Sequence, residues 1–167
     1  MRRRIQIVPY KRKRQSKTNF RKRLNILKSG KPRFVVRKTL KNIVVQIINY
    51  HPDGDKVLIS ANTNELKKKY GWNIARRNTP AAYLTGLLAG KKALKSKIKG
   101  AVLDIGMVPA TSGSVVFAAL KGAVDSGLDI PHSKEIFPSE DRMQGKHIKN
   151  MQQVQFSKIK EKIAKEE

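Results

Sequence analysis

Residues 33–62 read RFVVRKTLKNIVVQIINYHPDGDKVLISAN, and this stretch decides the fold. Three runs within it are rich in β-branched residues, namely 33–39, 43–50 and 56–62. Such runs, separated by short polar loops, are typical of strands that pair with their neighbours along the chain. The second loop contains Asp53-Gly54, which favours a tight turn. The sequence therefore predicts three adjacent antiparallel strands.

The apolar pattern changes to a helical period after the third run. Residues 63–70 predict a short helix, and Thr79-Pro80 is typical of a helix start with Thr79 as the N-cap. Gly86 and Gly90 lie inside the long helix that follows. Because an interior glycine costs about 1 kcal/mol relative to alanine, we expect a packing reason for both, namely close contact with the sheet.

Further along the chain, residues 101–105 (AVLDI) predict a short buried strand and residues 114–127 predict an amphipathic helix. A brief last strand is expected at 127–131, and a basic amphipathic helix at 147–165. Three antiparallel strands followed by helix, strand and helix describe an α/β fold with a mixed sheet. This order of elements resembles the ribonuclease H-like motif.

The charge of the chain is its most unusual property. Its 167 residues include 37 Lys and Arg against 12 Asp and Glu, for a net charge of +25. Twelve of the basic residues fall within residues 1–28, where no acidic residue occurs. So much positive charge favours binding to a polyanion, and nucleic acid is the leading candidate. An anionic membrane is less favoured, because residues 1–23 have too few apolar side chains for a membrane-seated helix. A nuclear-import signal is a third interpretation of such a basic cluster.

Several classes of protein are excluded or made improbable by composition. The chain has no cysteine, which excludes disulfides, thiolate metal sites and thiol catalysis. The basic start is not followed by a secretion signal, because Gln6 and Pro9 interrupt its apolar stretch. No apolar run approaches the roughly 20 residues of a membrane span. We expect a soluble, intracellular protein.

The N-terminal part contains a dense basic run, YKRKRQSKTNFRKR, at residues 10–23. Residues 1–15 lack periodicity and predict a mobile arm. Ser16 is a suitable cap for a helix over 17–29, which would carry one apolar stripe made by Phe20, Leu24 and Leu27. We therefore expect three parts in the chain. They are a basic arm with its short helix (1–30), an α/β core (31–131), and a C-terminal loop with a basic helix (132–167).

The basic residues have the chemistry of an RNA-binding surface. Lys and Arg bind phosphates, and Arg also stacks on bases. Tyr10 and Phe20 interrupt the basic run, and such rings stack on unpaired bases, although Phe20 is also suited to docking the helix onto the core. Further candidates for this surface lie on the first strand, in its loop and ahead of the long helix, namely Arg33, Arg37, Lys38, Lys41, Asn42, Arg76 and Arg77.

The chain lacks the residue sets of common catalytic sites. A nuclease of the ribonuclease H type needs several carboxylates to hold two metal ions, and here only Asp104 lies in a predicted core strand. We expect Asp104 to bond a cap or loop. Residues 106–114 (GMVPATSGS) lack the lysine of a phosphate-binding P-loop, which favours a cap and tight turn over an anion site. The sequence predicts no catalytic residue, no metal site and no cofactor.

The chain resembles the archaeal and eukaryotic type of the large-ribosomal-subunit protein eighteen family, whose members bind 5S rRNA. The resemblance covers about residues 8–150 and rests on the stretches VPYKRKRQSKTNFRKRL, LKSGKPRFVVRKTLKNIVVQII, NTPAAYLTGLLAGKKAL, AVLDIG, FAALKGAVDSGLDIPHS and RMQGKHI. It implies a structural ribosomal protein in the cytoplasm and no enzyme. It also implies that 5S rRNA is anchored to 23S rRNA in the central protuberance, beside neighbouring ribosomal proteins, without a membrane or small-molecule substrate.

The resemblance also implies which residues contact RNA. Together with the basic patches described above, the expected RNA-binding residues are Tyr10, Lys11, Arg12, Arg14, Lys17, Thr18, Phe20, Arg21, Arg23, Arg33, Arg37, Lys41, Asn42, Arg76 and Arg77. The chain departs from its relatives before Val8, at Phe20, where a tyrosine is usual, and over 151–167. The alternative that the residues leave open is a free-standing RNA-binding or RNA-processing factor.

Overall fold

Four strands form one mixed sheet in the computed structural model, which describes residues 8–148 and 153–165. The strands are β1 (Arg33–Lys38), β2 (Ile43–Asn49), β3 (Lys56–Asn62) and β4 (Val102–Asp104). Their order across the sheet is β3-β2-β1-β4. β2 pairs antiparallel with both β1 and β3, and β4 pairs parallel to β1. The predicted mixed α/β fold is confirmed, whereas the ribonuclease H-like likeness stays a prediction.

Seven α-helices and one 3₁₀ turn accompany the sheet in this part of the chain. They are α1 (Lys11–Arg14), α2 (Phe20–Leu27), α3 (Thr63–Tyr70), α4 (Thr79–Lys95), α5 (Val115–Asp125), the 3₁₀ turn (Lys134–Ile136), α6 (Glu140–Gln144) and α7 (Gln153–Lys165). The predicted helices at 63–70 and 114–127 are confirmed. At 127–131 the expected strand is reduced to a single bridge between Gly100 and Asp129.

One face of the sheet packs on the helices to form the core. Strand residues alternate between the two faces. Phe34 and Val36 of β1 belong to the core that α4 and α5 complete, while Val35 is buried on the opposite face. α4 packs on β2 and β3, and α5 contacts β1. The second face of β1 is thereby left to other parts of the chain.

The packing partner of the α4 glycines is α5, and not the sheet as predicted. A Cβ built on Gly86 would lie 1.9 Å from the carbonyl oxygen of Ala119. A Cβ on Gly90 would lie 1.8 Å from Ser126 Oγ, and one on Gly122 of α5 would lie 2.1 Å from the carbonyl oxygen of Tyr83. Small residues on both helices therefore let the two backbones approach closely, and the interior glycines of α4 are needed for that contact.

Two predicted N-caps are displaced. α2 begins after Asn19, whose side chain accepts a hydrogen bond from the amide of Lys22 (3.1 Å), and Ser16 is not the cap but has a left-handed backbone. α4 is capped by Asn78, which accepts from the amide of Ala81 (3.0 Å), and Thr79 is the first helical residue. In both cases an asparagine side chain satisfies a free amide of the first turn, which is what selects a cap.

The basic arm contains one element that the sequence does not predict. α1 forms a single turn within the predicted mobile arm, and residues 1–7 lie outside the described residues. None of the residues Phe20–Leu27 is buried, so the expected apolar stripe of α2 does not dock on the core. Ile26 and Leu27 are half-buried, so apolar burial holds α2 only in part.

The C-terminal helix is part of the main core. Phe156, Ile159 and Ile163 of α7 are buried in it, and the Phe156 ring lies 5.7 Å from the ring of Tyr83 on α4. The Tyr83 hydroxyl donates a 2.9 Å hydrogen bond to Asp125. Burial raises the pKa of this hydroxyl, and the bond to Asp125 raises it further, so Tyr83 remains a donor. The predicted helix at 147–165 is confirmed from residue 153 onward, and 149–152 lie outside the described residues.

Candidate nucleic-acid interface

A cleft of about 370 Å³ lies between the N-terminal segment, residues 8–27, and the β1–β4 edge of the sheet. We call it the basic cleft. One wall comes from the loop before α2 and from α2 itself, and the other from β1 and the loop after β4. The residues that line it are Arg12, Lys17, Thr18, Asn19, Lys22, Arg23, Arg33, Val35, Val36, Arg37, Lys38, Asp55, Asp104, Ile105, Gly106, Met107 and Val108. Val35 is the buried β1 residue of the second sheet face, so the cleft occupies that face.

The basic cleft is strongly electropositive. Seven Lys or Arg side chains and two carboxylates are among its lining residues. The cations divide into two groups, because two of them are paired with carboxylates and the other five stand on exposed residues. The exposed ones are Arg12, Lys17, Lys22, Arg37 and Lys38. A cleft with several exposed cations on two facing walls is suited to a polyanion backbone that passes between them.

A chain of alternating charges crosses the floor of the cleft. Arg33 donates from Nη1 to Asp104 Oδ2 (2.7 Å) and from Nη2 to Asp55 Oδ2 (2.5 Å). Asp55 also accepts from Arg23 Nη2 through both of its oxygens, at 3.0 and 2.9 Å. Asp104, Arg33, Asp55 and Arg23 thus form a continuous series, which we call the ion-pair chain.

Arg33 is placed differently from the free surface cation that the sequence predicts. Its side chain is only 6% exposed, and its guanidinium faces two carboxylates. A buried charge is tolerated only when it is paired, which explains why both carboxylates are there. Arg33 is therefore part of the floor that supports the exposed cations, and only a small part of its side chain is open to the cleft. Arg23 is likewise paired with a carboxylate, that of Asp55.

The role expected for Asp104 is confirmed. Its Oδ1 accepts a 2.9 Å hydrogen bond from the amide of Gly106 in the loop that follows β4. Its other oxygen is occupied by Arg33. Within residues 8–148 and 153–165, no group of three or more His, Cys, Asp or Glu side chains is arranged to hold a metal ion.

The two aromatic residues of the N-terminal segment contact each other. The rings of Tyr10 and Phe20 lie 5.6 Å apart between centroids and are tilted by 47°. Tyr10 is 78% exposed and Phe20 is 39% exposed. Phe20 therefore packs on Tyr10 and not on the core, which was the other role considered for it. The pair presents an open aromatic surface. In the same segment, Arg12 Nε donates to Thr18 Oγ1 (2.9 Å).

The remaining predicted residues lie outside the basic cleft and divide into two groups. Lys11, Arg14 and Arg21 are exposed on the N-terminal segment. The structure brings the others together around the start of α3. Asn42 Oδ1 accepts from Thr63 Oγ1 (3.3 Å). Arg76 donates to the side chain of Asn64, the residue that follows Thr63. Lys41 and Arg77 are the exposed neighbours of Asn42 and Arg76, so these four residues form one further basic patch.

Sequence reasoning missed the carboxylate part of the cleft. The sequence places Asp104 in a core strand and Asp55 beside the Asp53-Gly54 turn, but no local pattern predicts that either carboxylate pairs with an arginine. Arg33 is 22 residues from Asp55 and 71 residues from Asp104, so no local pattern links them. The parallel pairing of β1 with β4, in which Val35 lies opposite Asp104, creates the contact between Arg33 and Asp104.

In the described part of the chain, no helix is long and apolar enough to cross a membrane.

Comparison with known proteins gives a consistent result. The sequence matches the family described as "Ribosomal large subunit proteins 60S L5, and 50S L18" over residues 3–100 and 95–133. It is also similar to the large ribosomal subunit protein uL18 of Staphylothermus marinus, with 55% identity over 141 residues. That alignment covers 84% of this chain and 70% of the relative. The matched ranges of the family contain every residue that lines the basic cleft.

Proposed function

This chain belongs to the family of the large-subunit ribosomal proteins 60S L5 and 50S L18, and from that premise we propose that it binds 5S rRNA through the basic cleft and the N-terminal segment. As a member of this family it is a structural component of the large ribosomal subunit and not an enzyme. In the proposed role it anchors 5S rRNA to 23S rRNA in the central protuberance of cytoplasmic ribosomes, beside neighbouring ribosomal proteins.

The observation that carries this proposal is the basic cleft itself. Five exposed cations face each other across it, from the N-terminal segment and from β1. Each Lys or Arg that neutralises a phosphate releases a condensed counterion, and this release supplies much of the affinity for a nucleic acid. The cleft therefore accounts for the binding of an RNA backbone, with Arg12, Lys17 and Arg37 as its first contacts.

The exposed aromatic pair supports single-stranded or looped RNA as the ligand. Base–aromatic stacking is worth about 1–3 kcal/mol per base, and Tyr10 offers most of its ring to solvent. Double-stranded RNA hides its base faces, whereas loops and bulges expose them. In the proposed complex the cleft binds backbone phosphates, while Tyr10 and Phe20 receive an unpaired base.

The second basic patch extends the proposed RNA contact. Lys41, Asn42, Arg76 and Arg77 lie near the start of α3, beyond the end of β1 that carries Arg37 and Lys38. The basic surface formed by the exposed cations of β1 thereby extends to the loop between β1 and β2. We assign this patch to the RNA backbone and to no particular base.

A filter-binding competition tests the proposal. Labelled 5S rRNA is bound to the full-length protein at about 150 mM salt and is challenged with unlabelled 5S rRNA or with an unrelated RNA of equal length. We expect 5S rRNA to compete at least about tenfold better, which corresponds to 1.4 kcal/mol. Equal competition by both RNAs would support the alternative of a general RNA-binding factor and would overturn 5S rRNA as the specific ligand.

An RNA-processing nuclease is the weaker alternative. Such an enzyme needs carboxylates that are free to hold metal ions. The two acidic residues of the basic cleft, Asp55 and Asp104, are both committed to arginine. The family assignment also argues against catalysis, and incubation of 5S rRNA with the protein and Mg²⁺ should leave the RNA intact on a denaturing gel.

A further inference from the structure

We propose that Asp55 is a positioning residue for RNA binding. It holds Arg23 of α2 to Arg33 of β1, so that α2 is kept against the sheet and one wall of the basic cleft stays in place. The proposal rests on the proposed function. A carboxylate is expected to repel RNA phosphates. Here, however, Asp55 would increase the affinity for RNA.

Ile26 and Leu27 at the C-terminal end of α2 are half-buried, and the rest of the helix has little apolar contact that would hold it to the sheet. No residue of Phe20–Leu27 is buried, and Leu24 of its apolar stripe is 58% exposed. Among the described residues, the pair of Arg23 with Asp55 is the only salt bridge that joins α2 to the rest of the protein. An isolated helix of eight residues is unstable in water, so α2 depends on an external contact to remain ordered.

The geometry of Asp55 fits a connecting role. The residue immediately precedes β3, and its two oxygens receive Arg23 Nη2 while Oδ2 also receives Arg33 Nη2. Arg33 is in turn held by Asp104 of β4. The ion-pair chain therefore links α2 to two strands of the sheet. Its four members carry no net charge, so it adds rigidity without adding to the attraction for phosphate.

Two accounts of Asp55 predict opposite results when its charge is removed. If Asp55 acts only through its charge, Asp55→Asn raises the net charge and increases the attraction for RNA. If Asp55 positions α2, the same substitution lowers the fraction of molecules in the binding-competent arrangement, and the apparent affinity falls by that fraction. The sign of the change in affinity therefore separates the two accounts.

The test compares Asp55→Asn with Asp53→Asn in the full-length protein. Asp53 lies in the same loop, its side chain is 91% exposed, and its Oδ2 lies 3.4 Å from His51 Nδ1. Each Asp→Asn substitution removes one negative charge, so both variants change the net charge equally. We expect Asp55→Asn to bind 5S rRNA about five- to tenfold more weakly, and Asp53→Asn to bind as tightly as the wild type or slightly more tightly. Asp55→Glu, which keeps the charge, should recover most of the loss. RNA binding by Asp55→Asn that equals or exceeds the wild type overturns the proposal.

Hydrogen exchange of the free protein provides a second readout, which does not depend on RNA. Exchange reports local opening, so the amides of residues 20–27 should exchange about tenfold faster in Asp55→Asn, while those of β1 and β2 should change little. An equal acceleration in α2 and in the strands would mean that Asp55 only stabilises the fold, and would contradict a positioning role.

A substitution of Arg23, at the other end of the contact, provides a second test that does not depend on the folding of Asp55→Asn. Asp55→Asn leaves Arg33 paired with Asp104, so the buried guanidinium keeps a partner and the protein is expected to fold. Should it not fold, Arg23→Gln breaks the contact from α2 and leaves Arg33 untouched. Its control is Arg21→Gln, an exposed cation of the same helix with the same change in charge.

Only Arg23→Gln should accelerate exchange in residues 20–27, and equal exchange in the two variants would overturn the proposal. The exchange result is independent of the ligand. If wild-type protein does not prefer 5S rRNA, the proposed function fails, whereas the connection through Asp55 is still decided by exchange.

Discussion

Arg33 and Arg37 lie on the same face of β1, two residues on either side of Val35, yet they have different roles. Arg33 is buried against two carboxylates, whereas Arg37 is exposed at the cleft. Both are arginines in a basic strand, and only the position of their neighbours separates them. An unpaired arginine in the place of Arg33 would be strongly destabilising, because desolvation of a charge costs several kcal/mol.

The first prediction separates stability from RNA affinity at these two positions. Arg33→Met should destabilise the fold by about 2–3 kcal/mol, which is less than the usual cost of breaking a buried pair, because Asp55 keeps Arg23 and Asp104 keeps the Gly106 amide. For a chain of this length that corresponds to a fall in Tm of roughly 5–10 °C. Thermal denaturation followed by circular dichroism measures it.

The matched control for this prediction is Arg37→Met. Because Arg37 is exposed, its replacement should change stability by no more than about 0.5 kcal/mol, while RNA affinity falls through the loss of a phosphate contact. If the two variants melted at the same temperature, the assignment of Arg33 to the floor and Arg37 to the RNA surface would be wrong.

At the scale of elements, the contact between α4 and α5 depends on residues without side chains. Gly86 meets the backbone of Ala119, and Gly122 meets the backbone of Tyr83, so each helix presents a glycine to the other. Interior glycines weaken an isolated helix. Here that cost is offset by the close approach of two helices that form the layer beneath the sheet.

The second prediction concerns Gly86→Ala. Helix propensity alone favours alanine by about 1 kcal/mol, but the new methyl group would lie 1.9 Å from a backbone oxygen, and overpacking costs about 1–3 kcal/mol or more. Because backbone atoms give way less easily than side chains, the steric term should win. We expect a net loss of about 2 kcal/mol in the free energy of unfolding, measured by urea denaturation.

Gly90→Ala provides the comparison, since its obstacle is the side chain of Ser126. Part of the loss in Gly90→Ala should be recovered when it is combined with Ser126→Gly. Gly86→Ala should show no recovery from the same second substitution. A stabilised Gly86→Ala protein would mean that the two helices are not packed as closely as described.

At the scale of the molecule, the two sides of the sheet have different roles. The helices α3, α4, α5 and α7 share the core on one side, and the N-terminal segment lies on the other. Lysines are exposed on both sides, including Lys67 and Lys68 of α3 and Lys158 and Lys162 of α7. Net charge alone therefore does not distinguish the two sides, and the proposed RNA site rests on the basic cleft.

The third prediction compares equal changes of charge on the two sides. One variant carries Gln in place of Lys11, Arg12, Arg14 and Lys17, and the other carries Gln in place of Lys67, Lys68, Lys158 and Lys162. Each neutralised phosphate contributes about 0.7–0.9 to the slope of log affinity against log salt. The first variant should flatten that slope for 5S rRNA by about three units, and the second should change it by less than about one.

Filter binding between 50 and 200 mM salt measures both slopes. If six to ten phosphates are neutralised, the wild type should lose roughly 10³- to 10⁵-fold in affinity over that range. Equal flattening by the two variants would show that the N-terminal segment has no special part in phosphate binding.

Local residue patterns determined much of this protein. The runs of β-branched residues specify β1, β2 and β3, because short loops allow such strands to pair only with their neighbours. The helical periods specify α3, α4 and α5, and the charge of residues 1–28 indicates a polyanion ligand. These features depend on residues close together in the chain. The cap positions were missed by one to three residues, since several neighbouring polar side chains are suitable N-caps.

Only the tertiary structure decided which basic residues are exposed and which are buried in ion pairs. The parallel pairing of β4 with β1 brings Asp104 to Arg33, and the β2–β3 turn brings Asp55 to both Arg33 and Arg23. Those contacts join residues 22 to 71 positions apart. A charged side chain looks the same in a sequence whether it is solvated or paired, and burial is settled by what the rest of the chain places beside it.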